Sequence, residues 1–368
     1  VQGIGAAMLM STSLAIITQA FPAAERGRAI GLNGAAVAAG LTSGPVVGGL
    51  IVSHWHWSWI FLINVPISIV ALIVAGVTLR SDRGRKQRFD VLGALLAGSA
   101  LFALCLSLSR AHVWGWDSPT TIGLLILACL TGAAFVMVER RTDAPMIDLG
   151  LFENRTFAFS VLASTLYFCA SFSVVFTVPL AAQVALGMNP FHAGLLLLPI
   201  SGLNIFLAPV AGALSDRVPV RYIATTGAAL FAAGSLAVLF VPLKPSALDI
   251  AGALAILGVG AALFTQPNNS TIMGSAPPDR RGVASGILAT SRTTGQAMGI
   301  AFAGAIYFLR AHQLGPLSHT FAPAKGVFAG VAALMILVAV LSYTRDSAEV
   351  TPSAGGKHSK TAGRPTRT

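Results

Sequence analysis

The chain repeats itself at long range. Read from Gln2 and from Leu257, it aligns without a gap at a fixed offset of 255 residues. Gly3, Gly5, Ala6 and Ala7 fall on Gly258, Gly260, Ala261 and Ala262. Pro22, Arg26, Gly27, Ala29 and Gly31 fall on Pro277, Arg281, Gly282, Ala284 and Gly286. Gly40, Gly44 and Gly49 fall on Gly295, Gly299 and Gly304. The matches are mostly Gly, Pro and Arg, which set backbone shape and orientation rather than bulk. Two apolar helices joined by a short basic turn therefore occur twice, with most of the chain between them. Such long-period pairs restrict the fold to helical architectures assembled from related halves.

Those helices have the composition of membrane spans. Of the 368 residues 55% are hydrophobic and 10% charged, against about 25% charged in a soluble domain. Eleven apolar stretches each reach the length of about 20 residues needed to cross a bilayer. They lie near 1–20, 28–52, 58–79, 91–109, 120–138, 156–181, 191–213, 221–241, 247–270, 282–309 and 324–343. No strand-like alternation competes with them, so the expectation is an all-α integral membrane protein rather than a barrel. If the halves match, three spans would precede Val1, giving fourteen: six, an inserted pair, and six. The copies lie eight spans apart, so both run the same way through the membrane, a parallel pseudo-repeat. This reading divides the chain into 1–79, the rest of an N-terminal half with three spans; 80–155, the inserted pair with its linkers; 156–345, a six-helix C-terminal half; and 346–368, a disordered tail.

The net charge of +11 could point to nucleic acid, but its distribution points to topology. Across alternate loops, 19 of the 24 Lys and Arg fall on one side, from Arg26 and Arg28 through Arg80–Arg88, Arg140, Arg141, Arg155, Arg217, Arg221, Arg280 and Arg281 to Arg345 and the tail. Arg110, Lys244, Arg310 and Lys325 fall on the other, and Arg292 lies inside a span. The positive-inside bias places the first set, and the C-terminus, in the cytoplasm. Cys105, Cys129 and Cys169 sit within spans and show neither metal-ligand spacing nor a disulfide framework. No nucleotide-binding, metalloprotease or nucleophile motif is present, so an enzyme is not expected and any transport would run on a gradient without a bound cofactor or metal.

Four stretches carry chemistry or shape. Gly40-Leu-Thr-Ser-Gly44-Pro45-Val-Val-Gly48-Gly49 spaces glycines at i, i+4 and i+8, leaving one helix face open to close approach, with Pro45 bending the helix. Gly212-Ala-Leu-Ser-Asp216-Arg217-Val-Pro-Val-Arg221 is a short turn whose charges can latch helix ends. Trp57-Ser-Trp59-Ile-Phe61-Leu-Ile-Asn64-Val-Pro66 follows His54, Trp55 and His56, an interfacial aromatic anchor. Gln183-Val-Ala-Leu-Gly187-Met-Asn-Pro190-Phe-His-Ala193-Gly194 opens the second half.

On these stretches the chain resembles the major facilitator superfamily and, within it, the fourteen-span drug:proton antiporter family, the EmrB/QacA-like group. They match G-x-x-x-G-P-x-x-G-G, a weaker form of G-x-L-x-D-R-x-G-R-R with Pro219 at a usual Gly, W-R-W-I-F-L-I-N-V-P with Ser58 at the usual Arg, and Q-x-x-x-G-x-x-P-x-x-A-G. The resemblance implies alternating-access export of small amphipathic or cationic compounds, coupled to inward proton flow across a bacterial-type plasma (inner) membrane. The implied partners are the lipid bilayer, a small-molecule substrate and protons, with no nucleic acid; a periplasmic adaptor is left open. A metabolite or siderophore exporter on the same fold, and a non-transporting membrane sensor, stand as alternatives.

All thirteen Asp and Glu fall in loops, at span ends or in the tail. A proton-coupled exporter needs a titratable group within the membrane, and the resemblance implies that one lies upstream of Val1. The charge that remains inside is Arg292, with Gln296 one turn on and Gly295 and Gly299 beside them; its repeat partner is Val37, so the fold alone does not demand it. By analogy the cavity is lined by the first, second, sixth, seventh, ninth and tenth spans. Polar candidates are Asn33, Tyr167, Asn204, Gln266, Asn268 and Asn269, and apolar ones Met8, Met10, Phe168, Phe172, Phe176 and Phe264. Helix packing is an equal reading of any one of these.

Overall fold

The computed structural model describes residues 2–22, 25–78, 90–142, 149–215 and 218–345. Among these the chain forms helices and no strand, in the order α1 (Gln2–Ala20), α2 (Arg26–His54), α3 (Trp59–Leu62), α4 (Asn64–Thr78), α5 (Val91–Trp114), α6 (Pro119–Glu139), α7 (Arg155–Leu186), α8 (Pro190–Leu195), α9 (Leu198–Ser215), α10 (Val220–Phe240), α11 (Ala247–Ser275), α12 (Arg281–Leu314) and α13 (Ala322–Thr344). Each of the eleven apolar stretches becomes a helix, two of them broken. The stretch near 58–79 divides at Ile63, and that near 191–213 at Leu196 and Leu197.

Eight segments among the described residues are long and apolar enough to cross a membrane: 59–78, 91–111, 119–139, 155–186, 190–215, 220–240, 247–275 and 322–344. α12 has ample length but is less apolar, because Ser291, Arg292, Thr293, Thr294 and Gln296 interrupt it.

The repeat holds to the residue at the helix ends. Ala20 ends α1 and Ser275 ends α11, 255 apart; Arg26 begins α2 and Arg281 begins α12, again 255 apart.

Local chemistry explains several other boundaries. The Asn154 side chain accepts from the amides of Thr156 and Phe157 and opens α7. Ser246 and Asp249 form a capping box that opens α11. Gly187, at φ +62°, closes α7 in the left-handed region that favours glycine. Asn189 then caps α8 through the His192 amide, with Pro190 in its first turn. The Gln183–Gly194 motif is therefore a helix stop followed by a helix start, ending on Ala193 and Gly194, both buried.

The main core lies within α7 to α13, where α7 packs on α12 and α13, α10 on α11 and α13, and α9 on α11. Glycines bring α10 and α11 to backbone contact: a Cβ on Gly227 would stand 2.6 Å from the Phe264 amide nitrogen. α2 lies along α9, α1 against α12, and the paired α5 and α6 rest on α12 through α5. No residue of α4 is buried. A second apolar cluster gathers at the end of the bundle where α2 and α12 begin. There Ile30, 1% exposed, inserts among Leu151, Phe157, Ile272, Met273, Ile287 and Leu288.

Candidate transport site

A small polar pocket lies where the first helix pair meets its copy. α1 contributes Ser13, α2 Asn33 and Val37, and α12 Ser285, Leu288, Ala289 and Arg292. At the offset of 255, Asn33 is the partner of Leu288 and Val37 of Arg292. Each copy thus supplies one polar and one apolar group from the same two helical positions. The Arg292 guanidinium also lies over the Phe168 ring, 5.1 Å from its centroid.

The backbone beneath Arg292 is held closely. A Cβ on Gly295 would collide with the Thr165 carbonyl oxygen and stand 2.9 Å from the Phe168 Cβ, and one on Gly299 would collide with the Cys169 carbonyl oxygen. Ser173, fully buried, donates to the Gly299 carbonyl oxygen at 2.9 Å and to that of Cys169 at 2.8 Å. Two α12 glycines thus let α7 approach at backbone distance and fix the depth of the arginine. The corresponding Gly40 and Gly44, and Gly48 beside them, have nothing within 4 Å of a Cβ, whereas Gly49 faces Phe191 at 3.4 Å.

The other sequence-derived candidates separate. Gln266 is 4% exposed and its amide presses against Gly34, joining α11 to α2 next to Asn33; its Oε1 has no partner among the described residues. Asn204 on α9 likewise has a buried, unpartnered Oδ1. Gln296 is half-buried on α12, and Asn269 is buried.

Other candidates take these places in the structure. Tyr167 and Phe264, 4% and 1% exposed, lie with tilted rings 4.8 Å apart between centroids and belong to the main core with Phe231. Met8 is 66% exposed on α1. Phe172 and Phe176 are half-buried on α7. The side chains of Met10 and Pro45, and all of Asp216 and Arg217, lie outside the described residues. Of the gate turn, Gly212 is buried and accepts from the Ser215 hydroxyl at 2.6 Å. Arg221 donates to the Tyr222 hydroxyl at 2.7 Å and stacks on that ring.

Two features of the site had no sequence signal. The pocket serines, Ser13 and Ser285, are small polar residues of a kind that recurs throughout the spans. Arg345, one of the cations that end the C-terminal half, is 3% exposed. Its Nη1 donates to Asn268 Oδ1 at 2.6 Å and Ser160 Oγ at 3.0 Å, while Asn268 Nδ2 donates to the Ser160 carbonyl oxygen at 3.0 Å. This ties the end of α13 to α7 and α11. Burial lowers the Arg345 guanidinium from its ordinary value to about 10, so it stays charged at neutral pH. Arg345→Ala should lower stability by about 1–3 kcal/mol, since it strands two buried acceptors. A melting temperature equal to wild type in detergent would refute the clamp.

The sequence profile of the Major Facilitator Superfamily matches residues 1–300 and, a second time, 162–366. The chain belongs to this superfamily. Over 307 residues it is 35% identical to the multidrug resistance protein Stp of Mycobacterium tuberculosis, covering 83% of this chain and 57% of that protein. It is 32% identical over 304 residues to the riboflavin transporter RibZ of Clostridioides difficile, covering 82% and 65%. It is 29% identical over 308 residues to the multidrug export protein EmrB of Escherichia coli, covering 81% and 59%. The chain therefore spans less than two thirds of the length of these relatives. An all-α membrane transporter fold follows directly from the superfamily and the helices described above.

Proposed function

We propose that the protein exports small amphipathic or cationic compounds by alternating access, driven by inward proton flow. The observation that carries this reading is the pocket at the meeting of the two repeats, with a charged side chain in mid-span and polar groups from both copies. A charge held at that depth is a functional feature by default, and a rocking motion of one copy against the other would remake its surroundings. The names of Stp and EmrB support export of drugs. That of RibZ supports a second reading, a metabolite as cargo.

In this reading the Arg26, Arg281 and Arg345 ends face the cytoplasm and the Trp55–Trp59 turn faces outward. The Gly40–Gly49 face of α2 is the sliding surface, and the Asp216–Arg221 turn a latch that breaks and reforms. Asn33, Gln266 and Gln296 border the substrate route. Energy comes from the proton gradient, with no bound cofactor.

Efflux of a fluorescent dye from cells expressing the gene at full length, with and without an uncoupler, tests the reading. Uncoupler-sensitive efflux is expected. Arg292→Gln should reduce it at least tenfold at near-normal membrane abundance. Efflux that ignores the uncoupler would sink proton coupling, and no flux of any compound would favour a membrane sensor.

A further inference from the structure

We infer that the groove between α10 and α13 binds one anionic phospholipid, its tail lying along the groove and its phosphate held at the end where α10 begins. The assignment stands on the membrane fold and not on the identity of the cargo.

The groove is space left by short side chains. Ala229, Ala232 and Ala233 of α10 and Ala339 of α13 line a volume of about 490 Å³. Leu236, Ile336 and Val340 border it and are exposed. On helices that span a membrane, that exposed face is the one turned to lipid, so the groove opens sideways to acyl chains.

Its depth is that of one leaflet. Along α10 it runs from Thr225 to Leu236, about 16 Å at about 1.5 Å per residue, against about 30 Å for the whole hydrocarbon core. Thr225 stands in the second turn of α10 and Tyr343 in the last turn of α13, so one end of the groove lies at the membrane surface. The other end lies near the middle of both helices. A lipid tail from one leaflet fits this depth, whereas a helix of a second copy would cross both leaflets and overrun it.

The surface end carries the charge that an anionic head group needs. Arg221 lies outside the groove wall, one turn before Thr225 on the same face of α10. Helical side chains lean toward the helix N-terminus, which carries its guanidinium toward head-group level. Its Nη2 is spent on the Tyr222 hydroxyl, but its buried Nε has no partner among the described residues. The buried Thr225 Oγ1 has none there either. A phosphate accepting from Arg221 and a glycerol ester accepting from Thr225 would satisfy both. The neighbouring cation Arg345 is turned inward to Asn268 and Ser160. Basic pockets between helices on the cytoplasmic side attract anionic head groups, and in the proposed orientation this is that side. Tyr222 and Tyr343, both exposed, stand at the same level, as aromatic side chains do at a membrane interface.

Phosphatidylglycerol and phosphatidylcholine with identical tails differ in net head-group charge, so they isolate the polar end. The protein, expressed from its own gene at full length, would be purified in detergent with equal amounts of both lipids, and native mass spectrometry would read what stays bound. The expected result is one retained phosphatidylglycerol, at least fivefold over phosphatidylcholine. Ala233→Phe, which fills the groove from an exposed position, should cut retention of phosphatidylglycerol at least fivefold. Leu337→Phe, on the exposed face of α13 outside the groove, should leave it unchanged. Arg221→Gln should abolish the preference between the lipids. Thr225→Val, close in shape but without the hydroxyl, should weaken phosphatidylglycerol severalfold and covers the case in which the arginine variant fails to fold. Equal retention of the two lipids by the wild type, or phosphatidylglycerol retention indifferent to Ala233→Phe, would overturn the assignment. So would a dimer without retained lipid that Ala233→Phe dissolves, since the groove would then belong to a second copy.

Discussion

Gly299→Val should remove most folded protein from the membrane, and Gly299→Ala should already lower its melting temperature, whereas Gly304→Ala on the same helix should not. A Cβ at Gly299 meets the Cys169 carbonyl oxygen and lies 3.0 Å from its carbonyl carbon, backbone atoms that no rotamer change can move aside. α7 and α12 would have to separate, weakening the Ser173–Gly299 hydrogen bond of 2.9 Å. Overpacking of this kind costs about 1–3 kcal/mol, or more for a branched side chain, and the strained hydrogen bond adds up to about 1 kcal/mol. At Gly304 nothing lies within 4 Å of a Cβ, and alanine gains about 0.5–1 kcal/mol of helix propensity there. Size-exclusion profiles and melting temperatures of the detergent-solubilised variants decide it. Equal stability of the Gly299 and Gly304 alanine variants would mean that α7 and α12 are not in backbone contact.

This contrast marks what could be seen before the structure. Eight of the eleven expected spans are long and apolar enough in the structure to cross a bilayer, because a span needs about 20 apolar residues and length survives any uncertainty about neighbours. The repeat was legible because Gly, Pro and Arg record backbone demands, and the end of α1 with the start of α2 obeys its offset to the end of α11 and the start of α12. Glycine spacing announced a close approach on α12 but not its partner. That Gly295 and Gly299 meet Thr165 and Cys169 on α7 is a tertiary fact with no local trace. The pocket serines were hidden for the same reason. Aromatics serve ligands and cores alike, so the packing of Tyr167 against Phe264 has no signal in the sequence either. Counting charge by loop assigns Arg345 a side but no partner, and only the structure shows its head turned back to Asn268 and Ser160.

Ile30→Ala should open the end of the bundle where α2 and α12 begin, and this is the largest functional change expected from a substitution away from the pocket. Ile30 is 1% exposed, while Leu32 on the same helix is 56% exposed, so this single side chain is driven into the second cluster. It joins α2 to the cluster formed by Phe157 of α7, Ile272 of α11 and Ile287 of α12. Removing a buried isoleucine side chain costs about 2–5 kcal/mol. Spent on the closed state alone, about 2.8 kcal/mol shifts a two-state equilibrium roughly a hundredfold toward the open one, at about 1.4 kcal/mol per tenfold. The repeat makes the effect one-sided, because the partner of Ile30 is Ser285, which lines the pocket instead of sealing it. An Ile287→Cys reporter, in a background lacking Cys105, Cys129 and Cys169, should react with a maleimide up to a hundredfold faster when Ile30 is alanine. An unchanged rate, with the protein still folded, would show that this end of the bundle is held elsewhere and that Ile30 does not control it.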